Sequence, residues 1–173
     1  LSGKPGLITL HMGDDKRALE PVFEALERTS IPIKTFQPTH VGRSAKLQDD
    51  AFRFTKMGGT IDITCGQSES KFKAVAASLK KAAEEQVPME KITISSDGQG
   101  SWSNYDADGK LTEMGVSDVD TIYRQIVYEV KNEKMPLAEA LTFGTSNVAK
   151  ALELYPKKGA VQEGSDGDLL FMN

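Results

Sequence analysis

The chain has 173 residues, of which 39% are apolar and 27% charged, and a net charge of −4. Those proportions suit one globular domain able to bury a core. The mild acidity, with no Lys/Arg cluster, argues against a nucleic-acid partner; no apolar run approaches the ~20 residues needed to cross a bilayer; and a lone cysteine, Cys65, excludes an internal disulfide.

A single cysteine suits a reducing compartment, so a cytoplasmic location is expected. The opening, Leu1-Ser-Gly-Lys-Pro-Gly6, is neither a signal peptide nor an initiator methionine, and it reads as the interior of a longer chain.

Four β-type segments recur at residues 7–12, 34–41, 60–65 and 91–97, with first residues 27, 26 and 31 apart. A helix-like stretch follows each of the first three, which is the rhythm of repeated βα units. Asp14 or Asp15 offers a cap for a helix reaching about Arg28, with Leu19, Val22, Phe23 and Leu26 as its apolar stripe. Pro21 is tolerable there only near the start or as a kink. The second helix is predicted over 46–56, closing at Gly58-Gly59, and the third over 70–85, stopping before Pro88.

After the fourth strand the rhythm changes. Asp97-Gly-Gln-Gly-Ser101 opens a polar stretch, Asn104-Tyr-Asp-Ala-Asp-Gly109 reads as a turn, and a long helix resumes from about Ser117. Further helices are predicted over 137–143 and 146–154, and the segment 158–172 reads as Gly and Asp turns around two short strands. No internal sequence repeat is visible.

Within the strands, polar residues alternate with apolar ones. Thr9 and His11 oppose Ile8 and Leu10; Thr60, Asp62 and Thr64 oppose Ile61 and Ile63; Thr93, Ser95 and Asp97 oppose Ile92 and Ile94. A polar face behind an apolar one suits a barrel with chemistry at its mouth better than a sheet covered by helices on both sides.

Both histidines of the chain fall at equivalent places in successive units, His11 in Leu7-Ile-Thr-Leu-His11-Met-Gly13 and His40 in Phe36-Gln-Pro-Thr-His40-Val-Gly42. With Asp97 at a third strand end they offer the nitrogen and oxygen donors that a zinc-like ion takes. A lone strand histidine is more often a hydrogen-bonded core or loop residue than a ligand, and spacing alone leaves both readings open. Asp97 likewise reads either as an ordinary turn former or as a carboxylate that moves protons beside a metal-activated water. Arg43, three residues past His40, has the planar fork that fits a substrate carboxylate, and Ser101 could add a hydroxyl. Cys65 has no histidine left to activate it and reads as structural.

Five blocks in order carry a resemblance: Lys4-Pro-Gly-Leu-Ile-Thr-Leu-His-Met-Gly-Asp14, Pro38-Thr-His-Val-Gly-Arg43, Gly58-Gly-Thr-Ile-Asp-Ile-Thr64, Ser95-Ser-Asp-Gly-Gln-Gly-Ser101 and Gly164-Ser-Asp-Gly-Asp-Leu-Leu170. Together they resemble the bacterial isoaspartyl (beta-aspartyl) dipeptidases of the amidohydrolase superfamily. The resemblance implies an α/β fold in which this chain is the C-terminal half, strands 5 to 8, of a (β/α)8 TIM-like barrel over residues 1–156. Residues 157–173 would then start a small β-sandwich.

It also implies two zinc ions per complete site, with His11 and His40 on one ion and Asp97 on the other as general base and acid. Arg43 and Ser101 match residues that hold substrate carboxylates. A His-x-His pair and a bridging carboxylated lysine, which complete the family's site, have no counterpart in this sequence. Gly42 and Gln99 stand where a close relative carries asparagine, and neither is a metal position.

Half a barrel leaves open edges, since closure takes about eight strands and ~250 residues. The expected partner is therefore the missing N-terminal half, with a homo-oligomer once complete, an isoaspartyl dipeptide as substrate, and little or no turnover by the chain alone. Two rivals remain at this point: another amidohydrolase, dihydroorotase-like or acting on N-acyl amino acids, and a non-catalytic flavodoxin-like binding domain.

Overall fold

The computed structural model describes residues 6–171. Three βα units and a fourth strand follow the expected rhythm: β1 (Ile8–His11), α1 (Glu20–Arg28), β2 (Phe36–Thr39), α2 (Ala45–Lys56), β3 (Ile61–Thr64), α3 (Glu69–Glu84) and β4 (Ile92–Ser95). β1 pairs with β2 and β3 with β4, both in parallel. The two ladders lie edge to edge, because the Val41 N–H donates to the Asp62 carbonyl at 3.5 Å and Thr39 Oγ1 donates to the Asp62 carboxylate.

Alternation sorts the strand residues as the sequence implies. Ile61, Ile63, Ile92 and Ile94 are buried in one core with Leu47, Phe54, Val75 and Leu79 from the covering helices, while Thr39, Asp62 and Thr93 are buried on the opposite, inner face. Each such isoleucine contributes about 1.5–3 kcal/mol by leaving water. α2 and α3 start where Ser44 Oγ and Ser68 Oγ accept from the N–H groups of Leu47 and Lys71. β1 is the less covered end of the sheet, with Ile8 exposed.

The first helix begins at Glu20, later than the Asp14/Asp15 cap suggests. Ala18 has φ 48°, which no α-helix accommodates, and the Leu19 N–H donates instead to Asp50 Oδ2 at 3.2 Å. Pro21 then falls in the first turn, where its missing N–H costs nothing.

A hairpin, β5 (Ser101–Tyr105) with β6 (Leu111–Val116), occupies the stretch read as loop, around the expected turn ending at Gly109 with φ 77°. It displaces the next helix, α4 (Thr121–Lys131), to a later start, since the Ser117 N–H donates back to the Gly100 carbonyl. α5 (Leu137–Thr142) and α6 (Ser146–Ala151) follow. They cap the outer edge of β4: the Ile94 N–H donates to the Phe143 carbonyl, and Asn147 Nδ2 donates to the Ile92 carbonyl.

The expected strands of the tail do not form among the described residues, where 158–171 are turns, bends and irregular chain. Lys158 ties this segment locally by ion pairs to Asp166 and Asp168, whereas Val161, Leu170 and Phe171 are exposed and meet no ladder. Met172 and Asn173, the end of the expected sandwich segment, lie outside the described residues, as do Lys4 and Pro5 of the first resemblance block.

Candidate metal centre

The two histidines meet. His11 ends β1 and His40 directly follows β2; because these strands are parallel and in register, His11 opposite Thr39, the imidazoles converge, with His11 Nδ1 and His40 Nε2 3.0 Å apart. The ring centroids are 5.1 Å apart. His40 is 8% exposed, whereas His11 is open to solvent.

Thr64, at the end of β3, fixes the buried ring through a 2.6 Å contact between its Oγ1 and His40 Nδ1. With Nδ1–H donating to that oxygen, Nε2 is left with its lone pair turned toward His11. A second hydrogen bond that sets tautomer and ring direction is the usual support of a ligating histidine. Burial holds the His40 pKa below its ordinary value, the Arg43 guanidinium lowers it further, and Asp97 acts in the opposite sense. The ring is therefore held in the neutral form a metal requires.

Asp97 lies two residues past β4 with φ 51°, and His40 has φ 63°. Both are left-handed, a conformation that costs a non-glycine residue about 1 kcal/mol or more and persists only where the surroundings enforce it. Behind Asp97, the Gly100 N–H donates to the Asp97 carbonyl at 2.8 Å and closes a tight turn.

Asp97 and His40 line two adjoining cavities. One, of about 360 Å3, is the inner strand face with His11, Asp62 and Ser95, walled by Val148 of α6 and by Leu152 just past its end. The other, of about 590 Å3, runs outward between the start of α3 and the hairpin, past Arg43, Lys71, Trp102 and Asn104. Arg43 is anchored there by donating from Nη1 to the Met12 carbonyl at 2.7 Å, which ties the loop after β2 to the loop after β1.

Of the expected site residues, His11, His40, Asp97 and Arg43 therefore gather at one end of the parallel strands. Ser101 does not join them: it is exposed at the start of the hairpin and lines neither cavity. Two imidazoles and a nearby carboxylate are the donor chemistry that a borderline ion such as zinc prefers. Among the described residues no group of three His, Cys, Asp or Glu converges closely enough to hold an ion by itself, so the donor set fits part of a centre. Cys65 takes no part, since burial, with Asp62 and Glu129 nearby, pushes its thiol up to about 12.

The sequence reading missed two residues here, Thr64 and Asp62. Asp62 is 6% exposed and accepts from Thr39 Oγ1 and Ser95 Oγ, both at 2.6 Å on Oδ2, and from Thr93 Oγ1 at 2.9 Å on Oδ1. The signal was present, because alternation had already turned a carboxylate inward, and a buried carboxylate needs partners.

Residues 15–173 match the amidohydrolase family. A solved structure of the beta-aspartyl dipeptidase of the thermophilic, keratin-degrading Fervidobacterium islandicum AW-1, in complex with beta-Asp-Leu dipeptide, aligns with 96% of this chain at 36% identity and a TM-score of 0.85. A second structure of the beta-aspartyl dipeptidase from that organism aligns over 96% of the chain at 36% identity, with a TM-score of 0.78. The chain spans 43% and 40% of the length of those two proteins. With its parallel α/β units and its histidines at the strand ends, the chain belongs to the amidohydrolase family.

Proposed function

We propose that the chain is the metal-binding second half of a zinc-dependent isoaspartyl dipeptidase, which cleaves the beta-aspartyl peptide bond of dipeptides. The observation that carries this reading is the convergence of His11 Nδ1 and His40 Nε2 to 3.0 Å beside Asp97, in a chain 36% identical to a beta-aspartyl dipeptidase along 96% of its length. Family membership replaces the flavodoxin-like alternative.

On this reading β1 to β4 are the fifth to eighth strands of a (β/α)8 barrel, and residues from about 157 lead toward a small β-sandwich. His11 and His40 hold one zinc ion and Asp97 the other. The chain has only two histidines, so the remaining ligands come from the barrel's first four strands. When bound, the zinc pair polarises the scissile carbonyl and makes the attacking water acidic enough to react near neutrality.

Asp97 accepts that water's proton and delivers it to the leaving amine nitrogen, so one carboxylate serves as base and then as acid. Arg43 holds a substrate carboxylate with its fork, already aimed by the bond to Met12. For Ser101, which lines neither cavity, a hydroxyl role toward a second carboxylate requires the start of the hairpin to turn toward the site in the intact protein. The cavity beside the hairpin receives the residue on the leaving side.

The reading also proposes a cytoplasmic location, supported by the lone cysteine, and a homo-oligomer once the barrel is complete. Among the described residues, no helix is long and apolar enough to cross a membrane.

The test is release of leucine from beta-Asp-Leu by the intact, zinc-loaded protein, with alpha-Asp-Leu, dihydroorotate and an N-acetyl amino acid as competitors. Preference for beta-Asp-Leu, abolished by chelation and restored by zinc, is expected. Hydrolysis of another member of the panel alone refutes the assignment. The 173-residue chain by itself is expected to turn over little or no substrate, and full activity from it refutes the need for further ligands.

A further inference from the structure

We infer that Asp62 is a positioning residue whose buried carboxylate fixes the two strand ends that carry His40 and Asp97. This inference rests on the metal-hydrolase reading above.

Three hydroxyl groups from the two neighbouring strands converge on Asp62. Thr39 on β2 and Ser95 on β4 both donate to Oδ2, Thr93 on β4 donates to Oδ1, and Thr93 in turn accepts from Gln37 Nε2 at 3.3 Å. The carboxylate is thus a hub on the inner face that links β3 to both neighbours, the regular ladder partner β4 and, across a thin part of the hydrogen-bonding ladder, β2. Between β2 and β3 the ladder is represented by the long Val41-to-Asp62 bond of 3.5 Å.

What the hub holds is the last regular residue before each turn into the site. Thr39 immediately precedes His40, and Ser95 stands two residues before Asp97, so each strand is pinned just below a left-handed residue. On β3 itself, Thr64 stands two residues beyond Asp62 on the same face and bonds to the His40 ring. Asp62 therefore forms the lower tier of a two-layer arrangement, and His40, Thr64 and Asp97 form the upper one.

An apolar core residue at position 62, with valines replacing the hydroxyls, would fill the same volume without the desolvation cost of a charge. What only the carboxylate supplies is direction. Two hydroxyls on one oxygen set the spacing of β2 and β4 from β3, and hence the separation of the groups above them.

The experiment compares cobalt(II) binding and the visible cobalt spectrum in the intact protein for wild type, Asp62→Asn, Thr39→Val and Thr39→Ser, with beta-Asp-Leu hydrolysis as a second readout. The asparagine variant has one accepting oxygen for three hydroxyl donors, so the Thr93 bond is lost or reversed and the charge that draws in Thr39 and Ser95 is removed, and cobalt binding is expected to weaken by about 10–100-fold, the range seen when support of metal ligands is removed. Thr39→Val keeps the shape, loses the hydroxyl, and is expected to weaken binding by about 10-fold with an altered spectrum. Thr39→Ser restores both, and kcat falls in the weakened variants while KM stays near wild type.

Should the asparagine variant fail to fold, the Thr39 pair decides. Folded Thr39→Val with wild-type cobalt affinity and spectrum, or a lowered melting temperature with unchanged cobalt per folded molecule, overturns the inference and leaves the dipeptidase reading standing. Wild-type protein that takes up no cobalt overturns both.

Discussion

Gly100→Ala should damage the site through a single methyl group. A Cβ built at Gly100 would sit 2.8 Å from both the carbonyl oxygen and Oδ1 of Asp97, and 3.0 Å from its Cγ. Non-bonded heavy atoms settle near about 3.5 Å, so something must yield by roughly 0.7 Å. The carbonyl is held by the Gly100 N–H and the neighbouring chain by the Gly100-to-Ser117 pairing. Asp97, already left-handed at φ 51°, is the part free to move.

Overpacking of this kind costs about 1–3 kcal/mol, which lowers the melting temperature of the intact protein. A displacement approaching 1 Å at a proton-transferring carboxylate costs up to about 100-fold in rate. The assay is kcat on beta-Asp-Leu with a thermal melt, measured beside Gly13→Ala, whose Cβ would meet no atom within 4 Å at the same rim. Expected are a fall in kcat of about 10–100-fold for Gly100→Ala and little change for Gly13→Ala. A Gly100→Ala protein with wild-type kcat refutes the role given to Asp97, whatever its melting temperature.

Arg43→Ala should raise KM for a dicarboxylate substrate by about 10-fold or more, the loss of a charge-assisted pair, and Arg43→Lys should recover only part, because a point charge cannot serve both the Met12 carbonyl and a carboxylate. Glu129→Gln should stabilise the protein near pH 7, read from denaturant unfolding, since it removes a buried carboxylate whose charged form burial disfavours and keeps an oxygen to accept from Gln125 Nε2. Burial raises the Glu129 carboxyl above its ordinary 4.5, so the folded state holds its proton longer than the unfolded chain; stability then declines as pH rises from about 4.5 through the raised value, and the glutamine variant should lack that decline. The His40 pKa is lowered from 6.5, so the unfolded chain binds the proton first on acidification; stability is intact above 6.5 and is lost as pH falls through the lowered value. NMR titration of His40 in metal-free protein should give a midpoint under 6.5, and a midpoint at or above 6.5 counts against the burial argument.

The βα units were legible because each strand carries its two environments in alternate residues. Ile61 and Ile63 against Asp62 and Thr64 fixes which face is which before any partner is known. The hairpin was not legible for the opposite reason: Ser101–Tyr105 and Leu111–Val116 are exposed along most of both faces, so no apolar period marks them, and only the Asp106–Gly109 turn announces itself. The start of α1 was misplaced because Asp14 and Asp15 look like caps, while the deciding facts, a left-handed Ala18 and the Leu19 bond to Asp50, are a backbone conformation and a tertiary contact. His11, His40 and Asp97 were singled out from their places at strand ends and Arg43 from the loop after the second strand, and the structure brings the four to one end of the sheet; Thr64 and Asp62 act through hydrogen bonds to other strands, which no single stretch of sequence records.

The same alternation divides the work of the molecule. Outward residues of β3 and β4 bury isoleucines against α2 and α3, and that side supplies the stability. Inward residues are polar, and at the rim His40, Asp97 and Gln99 all stand left-handed, together costing on the order of 3 kcal/mol or more. That strain is tolerable because the isoleucine layer offsets it. It stays localised because the hydroxyls around Asp62 stop it from being relieved by a shift of one strand along another. Loosening the hub should therefore relax the rim before it melts the core, so metal affinity ought to respond to substitutions at Thr39 or Asp62 more steeply than the melting temperature does.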